Sequence, residues 1–212
     1  MRYQGIVFDL DGVICSTDEY HYQAWKSLAD RLGIPFDRER NNLLRGVSRM
    51  KSLEIILEKA NRPYTDEEKA GFAEEKNECY RRLLCNMTPA DLSEDVRRTL
   101  NTLREEGLLL AIGSSSKNTP FILSRIGLSG FFDAVADGNC ITHSKPDPEV
   151  FLTAASMLRL SPADCLVVED AHAGVQAAVS GGFDCAAIGD AKSDPLAAYH
   201  LQAFSDLLSA VR

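Results

Sequence analysis

The chain has 212 residues, of which 45% are hydrophobic and 25% charged, the balance of an ordinary globular protein of one or two domains. A formal net charge of −8 argues against a generic nucleic-acid binder and against a partner of anionic membranes. It leaves room for phosphorylated substrates, which a local cation can hold. The opening residues lack a signal-peptide pattern and no apolar stretch is long enough to span a bilayer. The six cysteines are scattered without a Cys-x-x-Cys pair, so reduced thiols and a cytoplasmic location are expected.

Ile6-Val7-Phe8 reads as a buried strand of a parallel sheet. It runs into Asp9-Leu10-Asp11-Gly12, two carboxylates two residues apart with a glycine able to turn the chain sharply. In open parallel sheets ligands bind beyond the carboxyl ends of the strands. Like charges held this close call for a cation, and magnesium suits hard carboxylate oxygens.

Helices then replace the strand rhythm until about Met87. Asp18 to Leu32 carries His21, Trp25, Leu28 and Leu32 at helical spacing, with Gly33 as a stop. Ser48 to Ala60 forms a second helix, and Thr65-Asp66-Glu67-Glu68 is a capping box opening a third that runs to about Leu84. With no strands between them, these helices form an insert rather than part of the sheet.

From Ser93 strands and helices alternate. Ser93 to Glu106 is helical, Leu108 to Ile112 a buried strand, and Asn118 with Pro120 a helix start. Ala134 to Ala136 is a short strand, Pro148 to Leu158 a helix, Cys165 to Val168 a strand, Ala171 to Val179 a helix and Cys185 to Ile188 a strand. Leu196 to Arg212 is expected to close the chain as a helix. The fold class is therefore α/β, a Rossmann-like parallel sheet with helices on both faces and right-handed crossovers. Residues 1–14 and 88–212 form the core, and 15–87 the helical insert.

Three later stretches lie at strand ends or in loops able to reach them. Ser114-Ser115-Ser116-Lys117-Asn118 offers backbone N–H groups and hydroxyls that suit either an anion site or an ordinary helix cap. Lys145 sits in the turn Ser144-Lys145-Pro146-Asp147-Pro148, and Glu169-Asp170 ends a strand. Taken singly, the lysine could be a solvated charge and the acids unremarkable.

Taken together and in this order, the four stretches resemble the four motifs of the haloacid dehalogenase superfamily of phosphotransferases. That resemblance implies Asp9 as the nucleophile that becomes an aspartyl phosphate and Asp11 as general acid and base. It implies Ser114 and Lys145 as ligands of the transferring phosphoryl group. Asp9, Asp11, Glu169 and Asp170 would serve a magnesium ion, Asp11 through its backbone carbonyl and Glu169 through water. The insert resembles the superfamily's small helical cap. Its His21, Ala24-Trp25-Lys26, Arg45-Gly46-Val47-Ser48-Arg49 and Lys76-Asn77 are similar to the β-phosphoglucomutase family, as are Ser116-Lys117-Asn118 and Ala173-Gly174 of the core.

That family interconverts β-glucose 1-phosphate and glucose 6-phosphate through a bisphosphate. The likeness implies substrate or phosphate contacts at Thr17, His21, Trp25, Arg45, Gly46, Arg49, Ser52, Lys76, Ser114, Ser115, Ser116, Lys117, Asn118 and Lys145. On residue type alone Trp25 reads as helix packing and His21 as a core histidine, whereas the resemblance implies that His21 is a hinge coupling closure to the position of the general acid. The sequence departs from the pattern at Ser16, where Asp is usual, at Arg45, where Lys is closest, and at His172, where Gln is frequent. Arg is not geometrically equivalent to Lys. Small sugar phosphates are the expected partners, with the chain acting as a monomer. A sugar-phosphate phosphatase on the same fold is the alternative, and a non-catalytic binding relative a third.

Overall fold

The computed structural model describes residues 2–44 and 47–212. In chain order the elements are β1 (Gly5–Phe8), α1 (Asp18–Arg31), α2 (Arg38–Asn42), α3 (Arg49–Leu57) and α4 (Asp66–Leu84). They continue with α5 (Glu94–Glu105), β2 (Leu109–Gly113), α6 (Thr119–Arg125), β3 (Ala134–Ala136) and α7 (Glu149–Leu158). The last are β4 (Cys165–Glu169), α8 (His172–Ser180), β5 (Asp184–Ala187), β6 (Tyr199–His200) and α9 (Leu207–Ala210). The strands form one parallel sheet in the order β3-β2-β1-β4-β5-β6, which seats β1 in the interior.

Alternate side chains of each strand feed opposite faces. Ile6, Phe8, Leu110, Ile112, Leu166 and Val168 join a core covered by α5, α6 and α9. Val7, Ala111, Cys165 and Val167 join a second core under α7 and α8. Every one of these strand residues is buried, which is why the sequence shows continuous apolar runs rather than polar alternation.

The helices between β1 and α5 add no strand to the sheet. They carry a third buried cluster that includes Trp25, Leu28, Phe36, Leu53, Ile56 and Ala73. The capping box at Thr65 is formed in full, with Glu68 bonding back to the Thr65 N–H. Ser48 caps α3 through Lys51 N–H, and that helix stops at Leu57, short of the expected Ala60.

One element goes unannounced in the sequence, and one expectation is corrected. The short α2 has the sequence Arg-Glu-Arg-Asn-Asn and buries none of its residues, so it leaves no apolar period to read. Leu196 to Arg212 is not one closing helix. Tyr199–His200 instead adds the outermost strand beside β5, a 3-10 turn covers Phe204–Asp206, and only Leu207–Ala210 is α-helical. Leu201, Phe204, Leu207 and Val211 are buried at spacings of three and four, so the sequence imitates a helix while the backbone changes form. No helix among the described residues is long and apolar enough to cross a membrane.

Candidate active site

The loop after β1 is held on several sides. Asp9 N–H donates to Val168 O at 2.9 Å, so Asp9 is still anchored to β4 one residue past the strand. Gly12 has φ +85°, and a Cβ there would lie 2.0 Å from Asp170 Oδ2. Glycine is thus required twice over, for the turn and for the passage of the Asp170 carboxylate. Thr17 N–H donates to Asp11 Oδ1 at 2.6 Å, joining the second acid to the start of α1.

Lys145 is the electrostatic centre. Its Nζ donates to Asp9 Oδ1 and to Glu169 Oε1, each at 2.5 Å, and the side chain is buried. Burial opposes its charge, but Asp9 and Glu169 more than offset this and hold the ammonium above the usual lysine range. Burial raises the Asp9 carboxyl to about 7, against the pull of Lys145 and with Glu169 adding to the rise. The other Glu169 oxygen, Oε2, accepts from the N–H groups of Asp170 and Ala171 at 2.7 and 2.8 Å. A Cβ on Gly174 would come within 1.9 Å of Glu169 Oε1, so α8 also needs a glycine where it crosses the acid. Both Glu169 oxygens are therefore engaged by protein donors, and the glutamate orients Lys145.

The loop after β2 is ordered by its own hydroxyls. Ser114 Oγ accepts from Ser116 N–H, and Ser116 Oγ from Asn118 N–H, each at 3.2 Å. Ser115 Oγ is buried without a hydrogen-bond partner among the described residues. A buried hydroxyl in that state carries a desolvation cost that an acceptor would relieve.

From the insert, Lys76 Nζ donates to His21 Nδ1 at 2.8 Å and lies 4.7 and 4.4 Å from the Trp25 and Tyr80 ring centres. Burial, then the charges of Lys76 and Arg49, drive His21 well below the usual imidazole range. Burial and the Arg49 charge likewise lower Lys76, with Asp11 pulling partly back. The neutral His21 ring is therefore the acceptor of this bond. Arg49 Nη2 donates to Asn77 Oδ1 at 2.8 Å, and Asn118 Nδ2 donates to the same oxygen at 3.0 Å.

One cavity of about 430 Å³ collects nearly all the expected residues. Asp9, Asp11, Lys145, Glu169, Asp170 and Ser114 to Asn118 line it from the sheet side. His21, Trp25, Arg49, Ser52 and Lys76 line it from the helices. Trp25 also belongs to the buried cluster of the helices. Arg45 and Gly46 lie outside the described residues. Thr17 is not among the residues that line the cavity, and its hydroxyl accepts from Tyr80 at 2.9 Å. Asp18, Leu44, Met50, Ile141, Thr142 and Ser144 also line the cavity and were not singled out from sequence. Apart from Ser144, whose neighbour Lys145 marks the loop, they carry no chemical signature that could have found them.

The residues present fit a hard divalent cation. Asp9 and Asp170 bring carboxylate oxygens to the cavity that Asp11 also lines, a donor chemistry suited to such an ion, and the missing Cβ of Gly12 gives Asp170 its room.

A family model for haloacid dehalogenase-like hydrolases matches residues 3–182. A β-phosphoglucomutase of Bacillus subtilis is 44% identical over 188 residues, covering 88% of this chain and 83% of its own. A fructose-1-phosphate phosphatase of Escherichia coli is 31% identical, covering 86% of this chain and 95% of its own. The crystal structure of a β-phosphoglucomutase from Clostridium difficile superposes with a TM-score of 0.91 at 35% identity, over 97% of this chain and 93% of that one. With the four motifs gathered in one cavity at the carboxyl end of a parallel sheet, the chain belongs to the haloacid dehalogenase-like hydrolase family.

Proposed function

We propose that the chain is a β-phosphoglucomutase, interconverting β-D-glucose 1-phosphate and D-glucose 6-phosphate through an aspartyl phosphate on Asp9 and a glucose 1,6-bisphosphate. One observation supports this reading: a single cavity is lined by two separate sets of groups whose chemistry suits a phosphate. Asp9, Lys145 and Ser114 form one, and Arg49 and Asn118, sharing the Asn77 oxygen, belong to the other. A phosphatase needs only the first set, whereas a mutase must hold a bisphosphate by its idle end.

An Asp9 oxygen attacks phosphorus, and the departing sugar oxygen takes a proton from Asp11. In the reverse step a sugar hydroxyl attacks the aspartyl phosphate as Asp11 removes its proton. Reversal of the bisphosphate in the cavity presents its other phosphate to Asp9. Lys145 and Ser114 bind the transferring oxygens in place, and such preorganised donors supply much of the rate enhancement. Asp9, Asp170 and the Asp11 backbone carbonyl would hold a magnesium ion, which when bound offsets charge on the phosphoryl oxygens. Glu169 acts chiefly by orienting Lys145.

Residues 15–87 act as a cap that excludes water, because an aspartyl phosphate open to solvent is hydrolysed. The bonds from Thr17 N–H to Asp11 and from Tyr80 to Thr17 tie the cap helices α1 and α4 to the acid–base group. His21, packed on Tyr80 with ring centres 4.1 Å apart and planes tilted by 30°, lies at the same junction and acts as its hinge. The chain works as a cytoplasmic monomer on small sugar phosphates.

The direct experiment measures glucose 6-phosphate formation from each anomer of glucose 1-phosphate, with a trace of glucose 1,6-bisphosphate. Turnover of the β anomer alone is expected. Stoichiometric release of inorganic phosphate would instead favour the phosphatase reading, which the Escherichia coli relative keeps in play.

Arg49→Ala provides a second check. Burial lowers the Arg49 guanidinium from its usual range, with the Glu74 charge opposing. Losing a charge-assisted contact to the idle phosphate should cost about 1.5–3 kcal/mol, roughly one to two orders of magnitude in affinity. Mutase turnover is expected to fall far more than hydrolysis of acetyl phosphate, which has no second phosphate. Equal losses in both assays would make Arg49 a surface charge.

A further inference from the structure

Asn77 has no place in the chemistry just described, and it does not line the cavity. It is nevertheless where the two sides of the cavity meet. Its Oδ1 accepts from Arg49 Nη2 of α3 and from Asn118 Nδ2, the residue that opens α6. A guanidinium can only donate, so the amide must present its oxygen to Arg49. Glu74 Oε1 accepts from Asn77 Nδ2 at 3.3 Å and fixes the amide in the same sense. Glu74 Oε2 also lies 3.8 Å from Arg49 Nη1, bracketing the guanidinium from behind.

A single oxygen thus sets the spacing between one donor carried by the helical insert and one carried by the sheet domain. Both donors line the cavity, while the atom that gathers them stands behind. A tetrahedral anion needs donors converging on it from several directions, and holding them beforehand removes part of the ordering cost of binding. The spacing is also a measure of closure, since Asn77 can reach Asn118 only when α4 stands against the loop after β2.

We propose that Asn77 is a positioning residue for the idle phosphate of the sugar substrate. It holds Arg49 and Asn118 at a common oxygen so that a closed cap presents both to one anion. This rests on the mutase reading of the cavity, and the test is chosen so that the two can fail separately. Glucose 6-phosphate is titrated as an inhibitor of the first phosphorylation of the free protein by acetyl phosphate, read in a single turnover before the sugar can accept the phosphoryl group, an assay that needs no mutase turnover. Failure of the mutase reading would appear as absent glucose 6-phosphate formation by the unaltered protein.

Alanine is a better helix former than asparagine, so Asn77→Ala keeps α4. The substitution is expected to raise the inhibition constant of glucose 6-phosphate about tenfold, the scale of one lost charge-assisted hydrogen bond. In the mutase assay the effect should fall on KM rather than on kcat at saturating substrate. Made in an Arg49→Ala/Asn118→Ala background, Asn77→Ala should change the inhibition constant by less than about twofold, because the groups it acts through are gone. A shift below twofold in the otherwise unaltered protein would overturn the proposal. So would a loss of equal size in the doubly substituted background, which would make Asn77 an independent strut of the helix.

Discussion

Asp9→Asn is expected to abolish turnover while the protein still folds. The amide has nearly the shape of the carboxylate, and the substituted residue would keep the backbone bond to Val168 that anchors this position. Lys145 would retain Glu169 at 2.5 Å, so the buried ammonium would not be left without a counter-charge. The phosphoryl acceptor is what disappears, because a carboxamide oxygen cannot carry the group through a covalent cycle. Purified variant should show neither glucose 6-phosphate formation nor a phosphorylated protein after exposure to acetyl phosphate, with an unchanged circular dichroism spectrum. Activity at the unsubstituted level would end the aspartyl-phosphate mechanism.

For Asp11→Asn the expected loss in turnover is about 10²–10⁴-fold, the scale of a missing general acid–base group. The bond from Thr17 N–H reaches Asp11 Oδ1, and an amide oxygen can accept it equally well. The junction between α1 and the loop after β1 is therefore preserved, and the deficit reports proton transfer rather than cap position. Magnesium affinity should change little if the metal uses the Asp11 backbone carbonyl. A titration showing a large loss of metal binding would refute that division of roles.

Much of this arrangement was legible because buried parallel strands are written as unbroken apolar runs and the chemistry sits at their ends. Gly5–Phe8, Cys165–Glu169 and Ala134–Ala136 appear close to where the sequence places them. The Thr65 cap was visible in the same way, as a local hydrogen-bonding pattern carried by four adjacent residues. Legibility failed where a residue's role depends on a distant partner. Nothing adjacent to Thr17 says that its hydroxyl accepts from Tyr80 or that its amide donates to Asp11. Glu169 reads as one half of an acidic pair, yet Lys145 and two backbone amides claim its oxygens. At the other extreme, α2 is too short and too polar to show a period, and the final segment shows a helical period without a continuous helix.

The central position of β1 bears on how the chain comes together during synthesis. Its register sets Gly5 opposite Leu109 on one side and Cys165 on the other, so both partners are made long after it. Pairings so remote in sequence are slow, and an unpaired apolar strand is a template for aggregation while it waits. The intervening helices are free of that delay, since α1 packs on α4 and they bury a cluster of their own. Ile6, Val7 and Phe8 have no such local refuge. Directly behind them in the chain stand Asp9 and Asp11, charges of the kind that flank sticky segments and discourage intermolecular pairing. In the nascent chain the two aspartates guard the strand that will later hold them in the interior of the sheet.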